Sequence, residues 1–248
     1  MGSVTGFPGP PVRPRPAATV LALRPCAAGL EVLMVRRAAA SEFMGNSFVF
    51  PGGSVDDCDR GAMAAGAIRW EGDAEEMPWR AAALRELAEE AGLALTDPPG
   101  VTVSGVGAGV YEATKAAGAR LDAHRLHPLS RWITPEGLPR RFDTRFYAAD
   151  ASAESLQAEA DGVEVFEASW VEPDEALRRS QSGDWEIPFP TLHHLEVLRS
   201  LGSVQAVLDY SGSLGEITGV LPRIVLGENG GYSVRLPGEP GYDAEGSR

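Results

Sequence analysis

The segment Arg85-Glu86-Leu87-Ala88-Glu89-Glu90-Ala91-Gly92-Leu93 holds three carboxylates and a guanidinium at helical spacing. Taking Glu86 as i, Glu89 is i+3 and Glu90 is i+4, so the three acids leave one face of a helix at neighbouring points. Leu84, Leu87, Ala88 and Ala91 follow i, i+3, i+4, i+7 and form the apolar stripe of a core-facing helix. Gly92 supplies the left-handed residue that commonly ends one. Two unit charges about 4 Å apart interact by roughly 4 kcal/mol at an effective dielectric near 20. On a solvated helix a like-charge pair costs only about 0.2–0.5 kcal/mol. The cluster is therefore either a wet acidic face or a seat for a cation.

Upstream, Phe48-Val49-Phe50-Pro51-Gly52-Gly53 reads as a short apolar strand breaking into a glycine turn, followed by Asp56, Asp57 and Asp59. Together the two segments resemble the Nudix hydrolase family, whose box is G-x5-E-x7-R-E-U-x-E-E-x-G-U with U a bulky aliphatic. Gly53 fits the first position, and Arg85 to Leu93 fit the last nine. Asp59 stands where glutamate is expected, and the spacer before Arg85 is about eighteen residues longer than the seven of the pattern. Trp132-Ile133-Thr134-Pro135 and Arg140-Arg141-Phe142-Asp143-Thr144-Arg145-Phe146-Tyr147 are similar to the branch containing the peroxisomal coenzyme A diphosphatases, which also carries a long insertion inside its box.

That resemblance implies Mg²⁺ or Mn²⁺ and cleavage of a nucleoside diphosphate linked to another group. Hard cations favour carboxylate oxygens, and Mg²⁺ keeps waters while bridging phosphates. Glu89 and Glu90 are the expected metal ligands, and Glu86 is either a further ligand or the base that activates water. Arg85 is expected to orient a glutamate, and Gly53 to turn the backbone tightly and offer a carbonyl to the metal. Asp59 is read as a metal ligand or as a loop carboxylate capping a turn. Arg36, Arg37 and Arg141 are the candidate substrate contacts, since a forked guanidinium suits phosphate; strand-end solubility or structural ion pairing is the competing reading. Asp143 is read as structural, and His124, His127, His193 and His194 as surface or packing residues. Glu164 or Glu167 is a further candidate ligand.

Three functions follow from the resemblance. One is hydrolysis of coenzyme A or an acyl derivative to 4′-phosphopantetheine and 3′,5′-ADP. Another is the same reaction on ADP-ribose, a dinucleotide or a nucleotide sugar, and Ser41–Gly45 lacks the histidine of the familiar coenzyme A signature. The third is a catalytically silent nucleotide-sensing module, against which the three glutamates are intact and no helix-turn-helix pattern appears.

Composition narrows the classes. The chain of 248 residues carries 44% hydrophobic and 23% charged residues, ordinary for a globular protein. A net charge of −13 disfavours nucleic-acid partners, so the expected partner is a small anionic substrate met by local cations. No apolar run is long enough to span a membrane, and the first residues lack the layout of a secretion signal. Two cysteines, Cys26 and Cys58, fit a reducing compartment. The last three residues, Gly-Ser-Arg, differ from the Ser-Lys-Leu peroxisomal address. A cytoplasmic protein is expected, and abundant Ala, Gly, Arg and Pro with few Lys suggest a GC-rich bacterial genome.

These residues need a scaffold. Residues 1–16 read as a Pro-rich disordered arm, 17–201 as the catalytic domain with a box at 53–93 interrupted at about 60–77, and 202–248 as an extension packed on it. Strands are expected at Thr19–Leu23, Glu31–Val35, Phe48–Phe50, Arg131–Ile133, Thr144–Ala148 and Val163–Trp170. Helices are expected at Trp79–Ala91, with Pro78 in the first turn, and at Val110–Ala123, Asp174–Ser180 and Thr191–Leu201. The tail adds strands at Gly219–Leu226 and Tyr232–Leu236. Interleaved strands and helices argue for an α/β fold with a mixed sheet, and the resemblance makes it a Nudix-type α/β/α sandwich. The Gly-rich tail is read as a substrate lid or a homodimer contact.

Overall fold

The computed structural model describes residues 12–38, 45–61, 66–154, 160, 162, 164–226 and 232–242. Most of the expected N-terminal arm, residues 41–44 of the coenzyme A comparison and residues 62–65 of the box insertion lie outside this set.

Alternating apolar residues build the central sheet. Strand β1 (Arg15–Cys26) turns at Gly29 into β2 (Gly29–Arg37), and the two pair antiparallel. β3 (Phe48–Val49) pairs with the end of β2, and β4 (Gly52–Ser54) with the start of β1. β9 (Phe142–Asp150) runs parallel to β1, while β8 (His127–Ile133) is antiparallel to β9. β10 (Val165–Val171) closes one edge on β2, and β11 (Gly219–Val220) the other, parallel to β8. The order is β10-β2-β1-β9-β8-β11, with both strand senses present.

Because successive side chains point to opposite faces, the sheet has two cores. Val20, Ala22, Leu33, Val35, Tyr147 and Ala149 meet helix α2 (Met77–Ala91) on one side. Leu21, Leu23, Val32, Met34 and Ala148 meet α4 (Pro173–Ser182), α5 (Phe189–Leu201) and α6 (Val204–Ser213) on the other. This is the α/β/α sandwich with a mixed sheet that the residue pattern anticipates. The small side chains of Ala81, Ala82 and Ala83, all fully buried, bring α2 close to the sheet. Burial of Leu84 and Leu87 contributes roughly 1.5–3 kcal/mol each. Gly92 ends the helix at φ 62°, where its N–H reaches Ala88 O and the N–H of Leu93 reaches Leu87 O.

Several boundaries differ from expectation. β1 begins at Arg15, so the last residues of the expected arm are sheet. Helix α3 (Ala108–Ala116) stops short of Ala123, because Gly118 takes φ 70° and redirects the chain into β7 (Arg120–Asp122). The box insertion is more than loop: β5 (Ile68–Arg69) pairs with β7, which pairs with β6 (Thr96–Asp97). α6 has no counterpart among the expected elements, although Ser203 caps it through the N–H of Ala206. The tail hairpin of β12 (Arg223–Leu226) and β13 (Tyr232–Arg235) is present. Among the described residues no helix is long and apolar enough to cross a membrane.

Candidate active site

The acid-bearing face of α2 does not meet open water. It packs against β4 and the segment before α3, leaving Glu86 8% and Glu90 3% exposed. The wet-face reading is thereby excluded, and burial makes the charges costly unless they are paired.

Arg85 organises the cluster, and all five of its N–H groups are engaged. Nε and Nη2 donate to the two oxygens of Asp59 at 2.8 and 3.0 Å, and Nη2 also donates to Ser54 O at 3.0 Å. Nη1 donates to Glu86 Oε1 at 2.9 Å and Glu89 Oε2 at 3.0 Å. Burial by itself would lower the Arg85 pKa, but Asp59, Glu86 and Glu89 outweigh it and hold the guanidinium charged. Asp59 is 0% exposed; it accepts from the Tyr111 hydroxyl and, at 2.7 Å, from its own turn through Asp56 N–H. Burial and the adjacent Asp59 keep the Tyr111 phenol far above its usual pKa, so it stays a donor.

The other two glutamates are held by backbone. Gly52 N–H donates to Glu90 Oε2 at 2.9 Å, and Gly107 N–H to Glu89 Oε1. Burial pushes the Glu86 carboxyl up to about 7, eased by Arg85 and raised again by Glu89. Burial and then Glu86 push Glu90 up to about 8, while Gly52 N–H and Arg37 pull it down. Burial also raises Glu89, with Arg85 opposing. Glu164 adds negative potential to Glu86 and Glu90 from the loop before β10.

Buried, mutually repelling carboxylates whose arginine is already saturated are short of positive charge. Their donor atoms are the hard oxygens that Mg²⁺ and Mn²⁺ accept. Among the described residues no three acid, His or Cys side chains form a ready-made cage. Mg²⁺ takes a few carboxylates and completes its shell with water and phosphate oxygens. Among the described residues Glu86 Oε2 and Glu90 Oε1 accept no hydrogen bond, so each has lone pairs free for a cation or a proton. The cluster lines a cleft of about 660 Å³ together with Trp132, Ile133, Phe142 and Phe189, and with Ile224 and Val234 from the tail hairpin.

The family profile described as NUDIX domain matches residues 13–192. The chain belongs to the Nudix family. A Caenorhabditis elegans protein named putative nudix hydrolase 7 is 30% identical over 179 residues, covering 68% of this chain. The chain spans 56% of that relative's length. The human protein named acyl-coenzyme A diphosphatase NUDT19 is 26% identical over 294 aligned positions, covering 94% of this chain and 75% of the human one. A crystal structure of a NUDIX hydrolase from Alicyclobacillus acidocaldarius superimposes with a TM-score of 0.69 at 27% identity, over 80% of this chain and 96% of that one.

Set on this Nudix scaffold, the candidate residues part company. Glu86, Glu89, Glu90, Arg85, Gly53 and Arg37 line the cleft together. Asp59 does not: both its oxygens are taken by Arg85 and Tyr111, so it supports Arg85 from beneath, which corrects its assignment as a metal ligand. Arg36 is corrected too, because strand alternation turns it to Glu167, 3.8 Å away, and only Arg37 to the cleft. Arg141 is buried and donates to Thr134 O at 3.0 Å and Val12 O at 2.8 Å, tying chain segments rather than facing substrate. Glu164 lines the cleft and Glu167 does not. His194 lies between Phe50 and Phe146, bonded to Ser130 Oγ and Pro190 O at 2.7 and 2.6 Å. Tyr111 and the Gly107 amide are functional contacts that the sequence does not mark, because they fall where the residue pattern is weak.

Gly53 presses directly on the cluster, for a Cβ there would lie 2.3 Å from Glu86 Oε1. Gly53→Ala is expected to push that carboxylate aside, reducing kcat at least about tenfold. The stability cost should stay near 1 kcal/mol, because the clash is with a side-chain tip. Steady-state kinetics beside urea unfolding would check this; full activity in the variant would show that Glu86 has freedom to move.

Proposed function

We propose that the chain is a metal-dependent diphosphatase acting on coenzyme A or an acyl-coenzyme A, releasing 4′-phosphopantetheine (acylated where the substrate is) and 3′,5′-ADP. The observation that carries this reading is one cleft lined both by the Glu86–Glu89–Glu90 cluster and by an apolar wall of Trp132, Ile133, Phe142 and Phe189. Such a wall fits an extended, uncharged arm leaving the diphosphate. The human and chicken relatives named acyl-coenzyme A diphosphatase support the same substrate class.

Glu90, with the carbonyl of Gly53, would hold Mg²⁺ or Mn²⁺, and Glu89 would join them through the oxygen that the Gly107 N–H now occupies. When bound, the ion supplies Lewis acidity and charge neutralisation at the diphosphate. Glu86, raised by burial to about 7, takes the proton of the attacking water through the oxygen that Arg85 leaves open. Water attacks one phosphorus, the bridging P–O bond breaks, and the departing phosphate carries the electron pair away. Arg85 keeps Glu86 and Glu89 in register, and Arg37 offers its guanidinium to a phosphate.

The test is a substrate panel with Mg²⁺ and with Mn²⁺: coenzyme A, acyl-coenzyme A, ADP-ribose, NADH and diadenosine compounds, with products identified. Coenzyme A or its acyl form should give the highest kcat/KM, and chelator should abolish cleavage. Turnover that persists in excess chelator, or a clear preference for ADP-ribose, would overturn the proposal.

A further inference from the structure

The arginines of this chain are almost all occupied. Among the described residues, Arg24, Arg36, Arg69, Arg85, Arg120, Arg125, Arg131, Arg145, Arg178, Arg179 and Arg199 are in ion pairs. Arg80, Arg141, Arg37, Arg140 and Arg223 have other partners. That leaves the side chains of Arg13, Arg15, Arg60 and Arg235 without an ion pair, hydrogen bond or ring contact among the described residues. Three of those four, Arg13, Arg15 and Arg60, line a single recess with Trp79 and Asp143.

The chain brings them together from two directions. Arg15 opens β1, Arg13 lies two residues before it, and Arg60 is the last residue of helix α1 (Asp57–Arg60). Asp143 does not neutralise them, because Arg131 holds both its oxygens at 2.7 and 2.6 Å. Trp79 has Arg145 over its ring at 3.8 Å, and its buried indole N–H has no hydrogen-bond partner. In a chain of net charge −13, three arginines lining one recess add nothing to solubility. Forked guanidinium groups match the oxygens of a phosphate dianion.

The recess also has a defined relation to the cleft, since Arg15 lines both. Arg15 stands about 7 Å along the strand from Ala17, at roughly 3.3 Å per residue. Ala17 pairs with Ser54, whose carbonyl binds Arg85. One elongated ligand can therefore reach both places.

We infer that Arg13, Arg15 and Arg60, beside Trp79, form a second anion site that takes a phosphate monoester carried on the nucleoside of the substrate, apart from the diphosphate that is cleaved. The site rests on reading the cleft as a nucleoside-diphosphate site, and it would discriminate between nucleotides with and without that extra phosphate.

Calorimetric titration of the full chain with 3′,5′-ADP, 5′-AMP and inorganic phosphate tests this without turnover. The bisphosphate should bind about tenfold or more tightly than 5′-AMP, as expected for charge-assisted contacts to one added phosphate. In the exposed-surface variant Arg13→Gln/Arg60→Gln that ratio should collapse toward one. Equal affinities in the wild type, or a ratio that survives in the variant, would overturn the site. Inorganic phosphate binding as tightly as the bisphosphate would overturn the assignment to a substrate-borne group. A parallel comparison of coenzyme A with dephospho-coenzyme A should show the same loss of preference in kcat/KM. If neither is cleaved while the two nucleotides still differ in affinity, the coenzyme A reading fails and the anion site stands.

Discussion

Replacing Glu90 by glutamine is expected to lower kcat by about a thousandfold or more while leaving the protein no less stable. A metal-organising carboxylate supports several kcal/mol of charge stabilisation in the transition state, and about 4 kcal/mol corresponds to three decades of rate. The stability half follows from burial. Glu90 is 3% exposed, and without a cation its pKa sits at about 8, against 4.5 for an ordinary glutamate. Near neutral pH the metal-free side chain is therefore mostly protonated, and glutamine matches it in size and charge. The sign of the linkage is definite. Glu86 and Glu90 have folded-state pKa values of about 7 and 8, raised above the unfolded value. Their contribution to stability is complete below about pH 4.5 and is lost as pH rises through 7 and 8. In chelator the wild type should melt lower at pH 8.5 than at pH 5.5, and Glu90→Gln should flatten that slope. Adding Mg²⁺ should restore the wild type more than the variant. Thermal scans at the two pH values with EDTA or Mg²⁺, and turnover assays beside them, would check both halves. Activity within threefold of wild type would remove Glu90 from the proposed metal site.

The largest loss of stability is expected from Arg85→Met. Removing one partner of a buried ionic cluster costs about 3–5 kcal/mol, because it strands the opposite charges. Here it strands Asp59, which is 0% exposed, and takes one donor each from Ser54 O, Glu86 and Glu89. For a chain of this size that is a fall in Tm of roughly 6–20 °C. Arg85→Lys should recover little, since an ammonium group cannot serve five acceptor directions as the planar fork does. Pairing Arg85→Met with Asp59→Asn should cost less than the sum of the two single changes, because the fully buried Asp59 charge is then no longer stranded. Urea unfolding of the four proteins gives the coupling directly. Additive losses would mean that Asp59 and Arg85 do not act as a unit. Activity should fall with stability in Arg85→Met, since the guanidinium sets the positions of both Glu86 and Glu89.

Much of this was open to inspection along the chain. Helix α2 is legible because its apolar stripe, Pro78 in the first turn and Gly92 at the end are all local. The two long strands β1 and β2 are legible from dense β-branched and apolar runs. Other features hinge on partners distant in sequence. Asp59 stands in the glutamate position of the box, yet its role follows from Arg85, 26 residues on, and Tyr111, 52 residues on. Arg36 and Arg37 must face opposite sides of their strand, but which side holds the cleft depends on β3, β10 and the loop carrying Glu164. α6 leaves little trace in the sequence, because a ten-residue helix with a single cap carries a weak local signal.

The residues alone determined that three carboxylates and one arginine share a helical face, and that an alternating apolar sheet lies under it. Spacing and side-chain period are properties of the backbone, so no fold was needed to read them. Tertiary structure decided that this face is buried, that Arg85 has no donor to spare, and that apolar segments more than a hundred residues away in the chain complete the cleft. Dielectric, solvent exposure and contact depend on what packs across the face, and those neighbours are assembled only when the sheet closes and the tail hairpin comes to line the cleft.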